Sequence, residues 1–245
     1  PINRQKAGVT MKYRRIEAVF MIQIKDTLRN KTALIQFVLF PLLAFILTET
    51  IAKSDEFLPD NYFVLLFAIM YVGMVPAINT ASIITEEKEK NTLRILMLAN
   101  VRPLEYLIGV GSYVFIVSSI GAVAFGFIGG YSGAQLGLFI IVLMVGILGS
   151  LILGSTIGIF AKNSMSSAGL VLPVSMITAF LPMIASFNET FESISRFLYT
   201  QQINYLIADL SIANFTFERF IIIFINVVIL TLLFSFAYKK KSLVE

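Results

Sequence analysis

The densest group of ionisable side chains in this sequence is the run Glu86, Glu87, Lys88, Glu89 and Lys90, followed at once by Asn91, Thr92 and a leucine-rich turn. Three carboxylates and two amines at this spacing form a charged flank, and the rest of the composition removes most familiar catalytic chemistries. The 245-residue chain has no His and no Cys, which removes imidazole acid–base chemistry, thiol chemistry, disulfides and the usual zinc and haem ligands together. A serine hydrolase would lack its base, and an intramembrane metalloprotease its ligands. Recognition remains, and the neighbouring residues suggest its form. Asn91 or Thr92 suits the cap of a short helix on which Leu93, Leu96 and Met97 share a face at i, i+3 and i+4, and Pro103 ends the unit. Such a helix is either a docking element or a solvated loop whose apolar side chains dip into lipid headgroups.

The elements that position this run belong to a membrane protein. Hydrophobic residues make up 57% of the chain and charged residues 14%, with a mean hydropathy of +0.84. A water-soluble fold of this size has too little interior for so much apolar side chain. A hydrocarbon core of roughly 30 Å needs about 20 apolar residues in a helix, because lipid cannot satisfy exposed backbone groups. Six stretches qualify: 32–51, 62–84, 104–129, 136–161, 166–187 and 220–238. The first follows about thirty residues of charged chain and has no small-residue cleavage pattern, so it does not read as a signal peptide. Of the 19 Lys and Arg, 16 lie on the side of the termini and 3 on the other, while the acids divide 7 and 8. The two faces carry +9 and −5. By the positive-inside rule both termini are cytoplasmic, and the basic pI reports topology rather than a nucleic-acid partner.

Residues 1–10 precede Met11 and read as an expression remnant or a disordered lead, so they are set aside. In 11–31, Ile16, Phe20, Ile24 and Leu28 recur every four residues while Arg14, Arg15, Lys25 and Arg29 gather opposite, with Glu17 interrupting the stripe. That pattern predicts an interfacial helix, or more plainly a juxtamembrane anchor. A six-span unit over 32–238 and a cytoplasmic tail over 239–245 complete the chain. Thirteen of the 15 glycines fall between Gly109 and Gly169. Ser118, Ala122, Gly126 and Gly130 form one four-residue ladder; Gly146, Ser150, Gly154 and Gly158 form another. Small residues four apart let membrane helices approach closely, which predicts a hairpin of spans 3 and 4 packed along the two ladders. Pro41, Pro76, Pro173 and Pro182 interrupt spans 1, 2 and 5. Tyr71, Met74, Asn79, Ser175, Met176, Phe180 and Met183, on spans 2 and 5, suit a pathway for varied apolar cargo, with ordinary helix packing as the alternative. No Asp, Lys or Arg lies near the middle of a span, and Glu49 sits only at the outer end of span 1, which argues against an ion-coupled carrier.

The run EEKEKNTLRILMLANVRPLEYLIG resembles the signature loop of the ABC-2 type permeases, the membrane subunits of ABC exporters with the type V, ABCG-like, fold. Glu86, Glu87, Lys88, Glu89, Thr92, Leu93, Leu96, Pro103, Glu105, Leu107 and Gly109 match its pattern. Asn91 stands where Gly is commoner, and Val110 where a Lys often follows. The resemblance covers the chain from Met11. It implies an all-α polytopic protein of six transmembrane helices with an N-terminal interfacial helix, a cytoplasmic coupling helix in 85–103, and outer re-entrant helices in 188–218, where Phe191, Ile194, Phe197 and Leu198 have helical spacing. It also implies a separate ABC ATP-binding subunit in two copies, which would bind the ATP and Mg, and a second permease, identical or homologous. The sequence has no G-x-x-x-x-G-K-[ST] loop, so no nucleotide site and no enzyme activity of its own are expected. By the same resemblance, spans 2 and 5 face the pathway. Its cargo would be a drug, an antimicrobial peptide or a lipid, exported by alternating access across a bacterial cell membrane. An immunity or sensor module acting on membrane-inserted peptides is the alternative, followed by a single-component channel or carrier.

Overall fold

The computed structural model describes the backbone of residues 2–29, 31–55 and 57–240, and the side chains of 13–29, 34–55, 57–211 and 213–240. Among the described residues every regular element is helical. Helices α1 (Ile2–Arg29), α2 (Lys31–Thr50), α3 (Tyr62–Glu89), α4 (Thr92–Leu98) and α5 (Pro103–Ile128) are followed by α6 (Gly133–Phe160), α7 (Ser164–Ala185), α8 (Glu189–Ser195), α9 (Tyr199–Ala208) and α10 (Phe217–Lys240). Six helical segments are long and apolar enough to cross a membrane: Leu34–Ser54, α3, α5, α6, α7 and α10. They match the six expected stretches, because an apolar signal summed over some twenty residues survives local irregularity.

α3 is the axis of the bundle. Its apolar window is 67% buried, against 11% for that of α10, and it packs on α2, α5, α6 and α7. The expected hairpin of α5 and α6 is present, but it is not packed along both small-residue ladders. α5 and α6 do adjoin near their connecting turn, where a Cβ on Gly126 would meet Leu136 Cδ1 at 2.5 Å. The second ladder, however, faces α3. A Cβ on Gly154 would stand 2.3 Å from the Ala77 carbonyl oxygen, and one on Gly158 3.0 Å from Ile84 Cβ. The first ladder also turns partly to α3, since Tyr71 Oη donates to the Ser118 carbonyl at 3.2 Å. A small-residue stripe signals close approach but does not name the partner.

The closeness of α3 to α6 and α7 has a chemical consequence at Pro76. Proline has no N–H to give the carbonyl four residues back, that of Val72, and its ring disturbs the turn around it. Ser150 Oγ donates to the Val72 carbonyl at 2.5 Å, and Thr178 Oγ1 donates to the Gly73 carbonyl at 2.9 Å. Ser150 has one proton and gives it to Val72, so in the 2.6 Å contact with Tyr199 the tyrosine is the donor. Side chains of α6, α7 and α9 thus meet at the backbone around one proline.

α1 is continuous from Ile2, taking in residues 2–10 that the sequence reading sets aside. Its inward face also differs from expectation. Val19, Gln23 and Thr27 are buried, while Ile16, Phe20 and Ile24 are half-buried and Leu28 is exposed. The shift follows from polar partners: Gln23 reaches Glu87 on α3, and the Tyr113 hydroxyl of α5 reaches Thr27 at 2.5 Å. A Cβ on Gly109 would stand 2.7 Å from Val19 Cβ, so α1 lies tightly along α5. The interfacial stripe read from the sequence is therefore the flank of a helix packed on the bundle.

Candidate docking site at the α3–α4 turn

The charged run is not a loop. Glu86 to Glu89 form the last turn of α3, which is five residues longer than the apolar stretch alone suggests. Glu and Lys are good helix formers, and Lys90 pairs with Glu86 one turn back. That neighbouring carboxylate holds the Lys90 ammonium above the usual lysine range. The helix stops at Asn91, whose φ of 56° is left-handed, a conformation that Gly or Asn adopts most readily. Asn91 therefore starts α4 by its backbone conformation, without the side-chain capping bond expected of Asn91 or Thr92. A second left-handed residue, Asn100 with φ 63°, closes the far end. There the Val101 N–H bonds to the Leu96 carbonyl at 3.1 Å and the Asn100 N–H to that of Met97 at 3.0 Å. This is a Schellman closure, with the apolar contact between its outer residues supplied by Leu96 and Val101 in one cluster.

Between these stops, α4 has two unlike faces. Leu93 is 1% exposed, and Leu96 and Met97 pack beside it on a cluster that includes Val19, Ile84, Tyr106 and Ile159. The stripe expected to meet a partner is thus turned into the chain's own bundle. The opposite face shows Arg94 with Ile95, 64% exposed, and Leu98, 78% exposed. On a helix of seven residues tethered at both ends, the larger apolar stripe settles on the nearest apolar surface. What remains outward is a cation flanked by two branched apolar side chains.

Most of the charged residues singled out from the sequence are engaged within the chain. Lys88 Nζ donates to the carbonyls of Gly158 at 3.0 Å, Ile159 at 2.7 Å and Ala161 at 3.2 Å, at the C-terminal end of α6. The next residue, Glu89, accepts from the backbone N–H of Ser164 at 2.9 Å and from the Ser164 hydroxyl, at the first residue of α7. A cation on helix-end carbonyls and an anion on helix-start amides are both favoured by the helix dipole and by charge-assisted hydrogen bonding. Successive residues of α3 therefore grip both sides of the α6–α7 connection. Glu87 is 8% exposed, accepts from Gln23 Nε2 at 2.6 Å and lies beside the Tyr106 hydroxyl. Glu105, 5% exposed, accepts the Arg102 N–H at 2.9 Å across Pro103 at the start of α5, and it meets Arg15 of α1 at 3.5 Å. Among the acids of the run, Glu86 alone is both exposed and paired only with an exposed partner. A cleft of about 570 Å³ between α1 and α3, bordered by Asp26, Asn79, Glu86, Glu87 and Thr92, opens beside the turn.

The candidate pathway residues are not brought together in this chain. Tyr71 is fully buried in the main core, in contact with Phe40 and Phe125. Asn79 is buried, gives its amide to the Val75 carbonyl at 2.9 Å, and borders the cleft beside α1. Met74, Phe180 and Met183 are half-buried and Met176 is 51% exposed. On α7 the packing face holds Ser175, Thr178 and Ala179, so Met176 lies on the other side, away from α3. Two helices, α8 and α9, lie in 188–218 where outer helices are expected. Of the residues singled out there, Phe191, Ile194 and Phe197 are exposed, whereas Tyr199, Ile203, Leu206 and Ile207 of α9, which sequence reasoning missed, are buried against α6 and its neighbours. The signal was the i, i+4, i+7, i+8 spacing of those four residues.

Compared with protein-family models and with curated proteins, the sequence matches none.

Proposed function

We propose that this chain is the membrane-spanning subunit of an ATP-driven exporter of the ABC-2 type, with α4 as the point at which a separate ATP-binding subunit engages it. The observation that carries the reading is the outward face of α4: Arg94, Ile95 and Leu98 stand exposed on a short helix whose other face is fixed to the bundle. Two exposed apolar side chains on a rigid mount, beside a cation, suit a groove on a soluble partner. The motif departure at Asn91 also fits, because its left-handed backbone is one that the commoner Gly adopts freely.

In this reading the motif divides its labour. Ile95, Leu98 and Arg94 meet the partner. Leu93, Leu96 and Met97 transmit its movement into the bundle, and Lys88 and Glu89 carry it from α3 to the α6–α7 connection. α3 continues as one 28-residue helix to the Pro76 region, where α6, α7 and α9 converge. ATP binding on the partner would favour one arrangement of these helices and cargo another, so the two are reciprocally coupled. The distribution of Lys and Arg supports a cytoplasmic position for α4 and both termini. Two ATP-binding subunits, holding ATP and magnesium, would serve two membrane subunits. The outward side of α7 around Met176 is offered to the second membrane subunit or to an amphipathic or hydrophobic cargo. α8 and α9 act as the cap at the outer end.

The test is mutation of the outward face. Replacing Ile95 and Leu98 together with Glu should weaken capture of the ATP-binding subunit by at least about tenfold, each tenfold being about 1.4 kcal/mol. Glu87 and Glu89 are poorer choices for this purpose, since their charges hold the chain's own helices.

A further inference from the structure

We propose that the end of the bundle opposite α4 carries a site for a phosphate-bearing anion, in the cleft between the 196–198 segment, α9 and the start of α10. Cations are scarce at this end: the loops there hold only Lys53, Arg196 and Arg219. Two of these three border a single cleft of about 350 Å³. Their convergence is not what topology requires, since the positive-inside pattern is set by the other 16.

Both guanidinium groups are oriented by aromatic faces. Arg196 lies 4.7 Å from the ring centroid of Phe197, and Arg219 lies 4.7 Å from that of Tyr205. A stacked guanidinium has its ring-side face occupied and its N–H edges directed away in the plane, the geometry that pairs with two oxygens of a phosphate. The ion pairs among the described residues, Arg15–Glu105, Lys53–Glu49 and Lys90–Glu86, include neither arginine. The walls are built rather than loose. Gln202 is buried and gives its amide to the Arg196 carbonyl at 2.5 Å, and Asn226 of α10 gives its amide to the Phe197 carbonyl at 2.8 Å. The Tyr205 hydroxyl donates to Glu192 at 2.8 Å, which holds its ring and engages that carboxylate. Glu218 also borders the cleft and opposes an anion, one carboxylate against two guanidinium groups. Phe197 and Ile222 supply an apolar margin, so the ligand is either free phosphate or the headgroup of a lipid whose chains lie along the exposed side of α10.

The site is tested on the purified chain in neutral detergent, without nucleotide or partner, so failure here leaves the transport reading untouched. Native mass spectrometry compares short-chain phosphatidylglycerol with the matching diacylglycerol, which lacks phosphate. Phosphatidylglycerol should be retained at least about tenfold better, and Arg196→Gln or Arg219→Gln should each weaken it about tenfold. Glu218→Gln should strengthen binding about twofold to threefold, a gain that misfolding cannot produce. Displacement by millimolar inorganic phosphate would assign the site to the free anion, and persistence against it to the lipid headgroup. Equal retention of the two lipids by the unaltered chain, or a loss of binding in Glu218→Gln, would overturn the proposal.

Discussion

Along α3, polar groups are satisfied in two different ways. Near its middle, the carbonyls of Val72 and Gly73 around Pro76 are met by the neutral hydroxyls of Ser150 and Thr178, themselves buried. At its end, Lys88 and Glu89 are charged and are met by the C-terminus of α6 and the N-terminus of α7. The difference follows depth. A charge is expensive away from water, so the middle of the bundle uses dipoles, whereas the end, with Lys88 half-buried and Glu89 exposed, uses ions. Both devices join α3 to α6 and α7. One satisfies the backbone around Pro76 and the other fixes how the α3–α4 turn is carried.

The comparison can be broken first at the contact that both devices require. Gly154→Leu forces a side chain into the Ala77 carbonyl and should cost roughly 3 kcal/mol or more, read as loss of a monodisperse folded peak and a lower melting midpoint in detergent. Gly169→Ala, with nothing within 4 Å of the added Cβ, should leave both measurements nearly unchanged. A smaller effect is expected at the charged end. Lys88→Met removes charge-assisted bonds to three carbonyls and should cost about 1.5–3 kcal/mol, with hydrogen exchange rising at 158–164. Lys90→Gln, whose Glu86 partner is exposed, should cost only about 0.3–0.5 kcal/mol. A change of intermediate size sharpens the neutral end. Ser150→Ala should cost about 1 kcal/mol or more by leaving the Val72 carbonyl unpaired. In a Pro76→Ala background, where a backbone N–H can serve that carbonyl, the same change should cost less, and a thermodynamic cycle measures the difference.

How much of this was legible beforehand depends on the length over which each signal is summed. The six membrane-length helices were readable because apolar composition accumulates over twenty residues. The inward face of α4 was readable as a stripe of Leu93, Leu96 and Met97, but spacing identifies a burying face and not what covers it. The same applies to Gly146, Ser150, Gly154 and Gly158, whose partners are α3 and α9 rather than α5. Helices in 188–218 were expected, but the buried face of α9 was hidden because Thr200, Gln201 and Gln202 interrupt its apolar residues, although all three are buried. Lys88 escaped for another reason: a lysine's reach to a helix terminus 70 residues away leaves no trace in local pattern. At Pro76 the trace existed, because a proline names the carbonyl it orphans, and the hydroxyl of Ser150 was already on a close-packing ladder.

The most direct measurement is capture of this chain from its native membrane under gentle detergent, followed by assay of ATP hydrolysis in the recovered complex. The unaltered chain should bring down an ATP-hydrolysing partner, and the Ile95→Glu, Leu98→Glu variant should lose partner and hydrolysis together while remaining folded and membrane-embedded. A complex without hydrolysis, or a variant that retains its partner at full yield, would contradict the assignment of α4 as the docking helix.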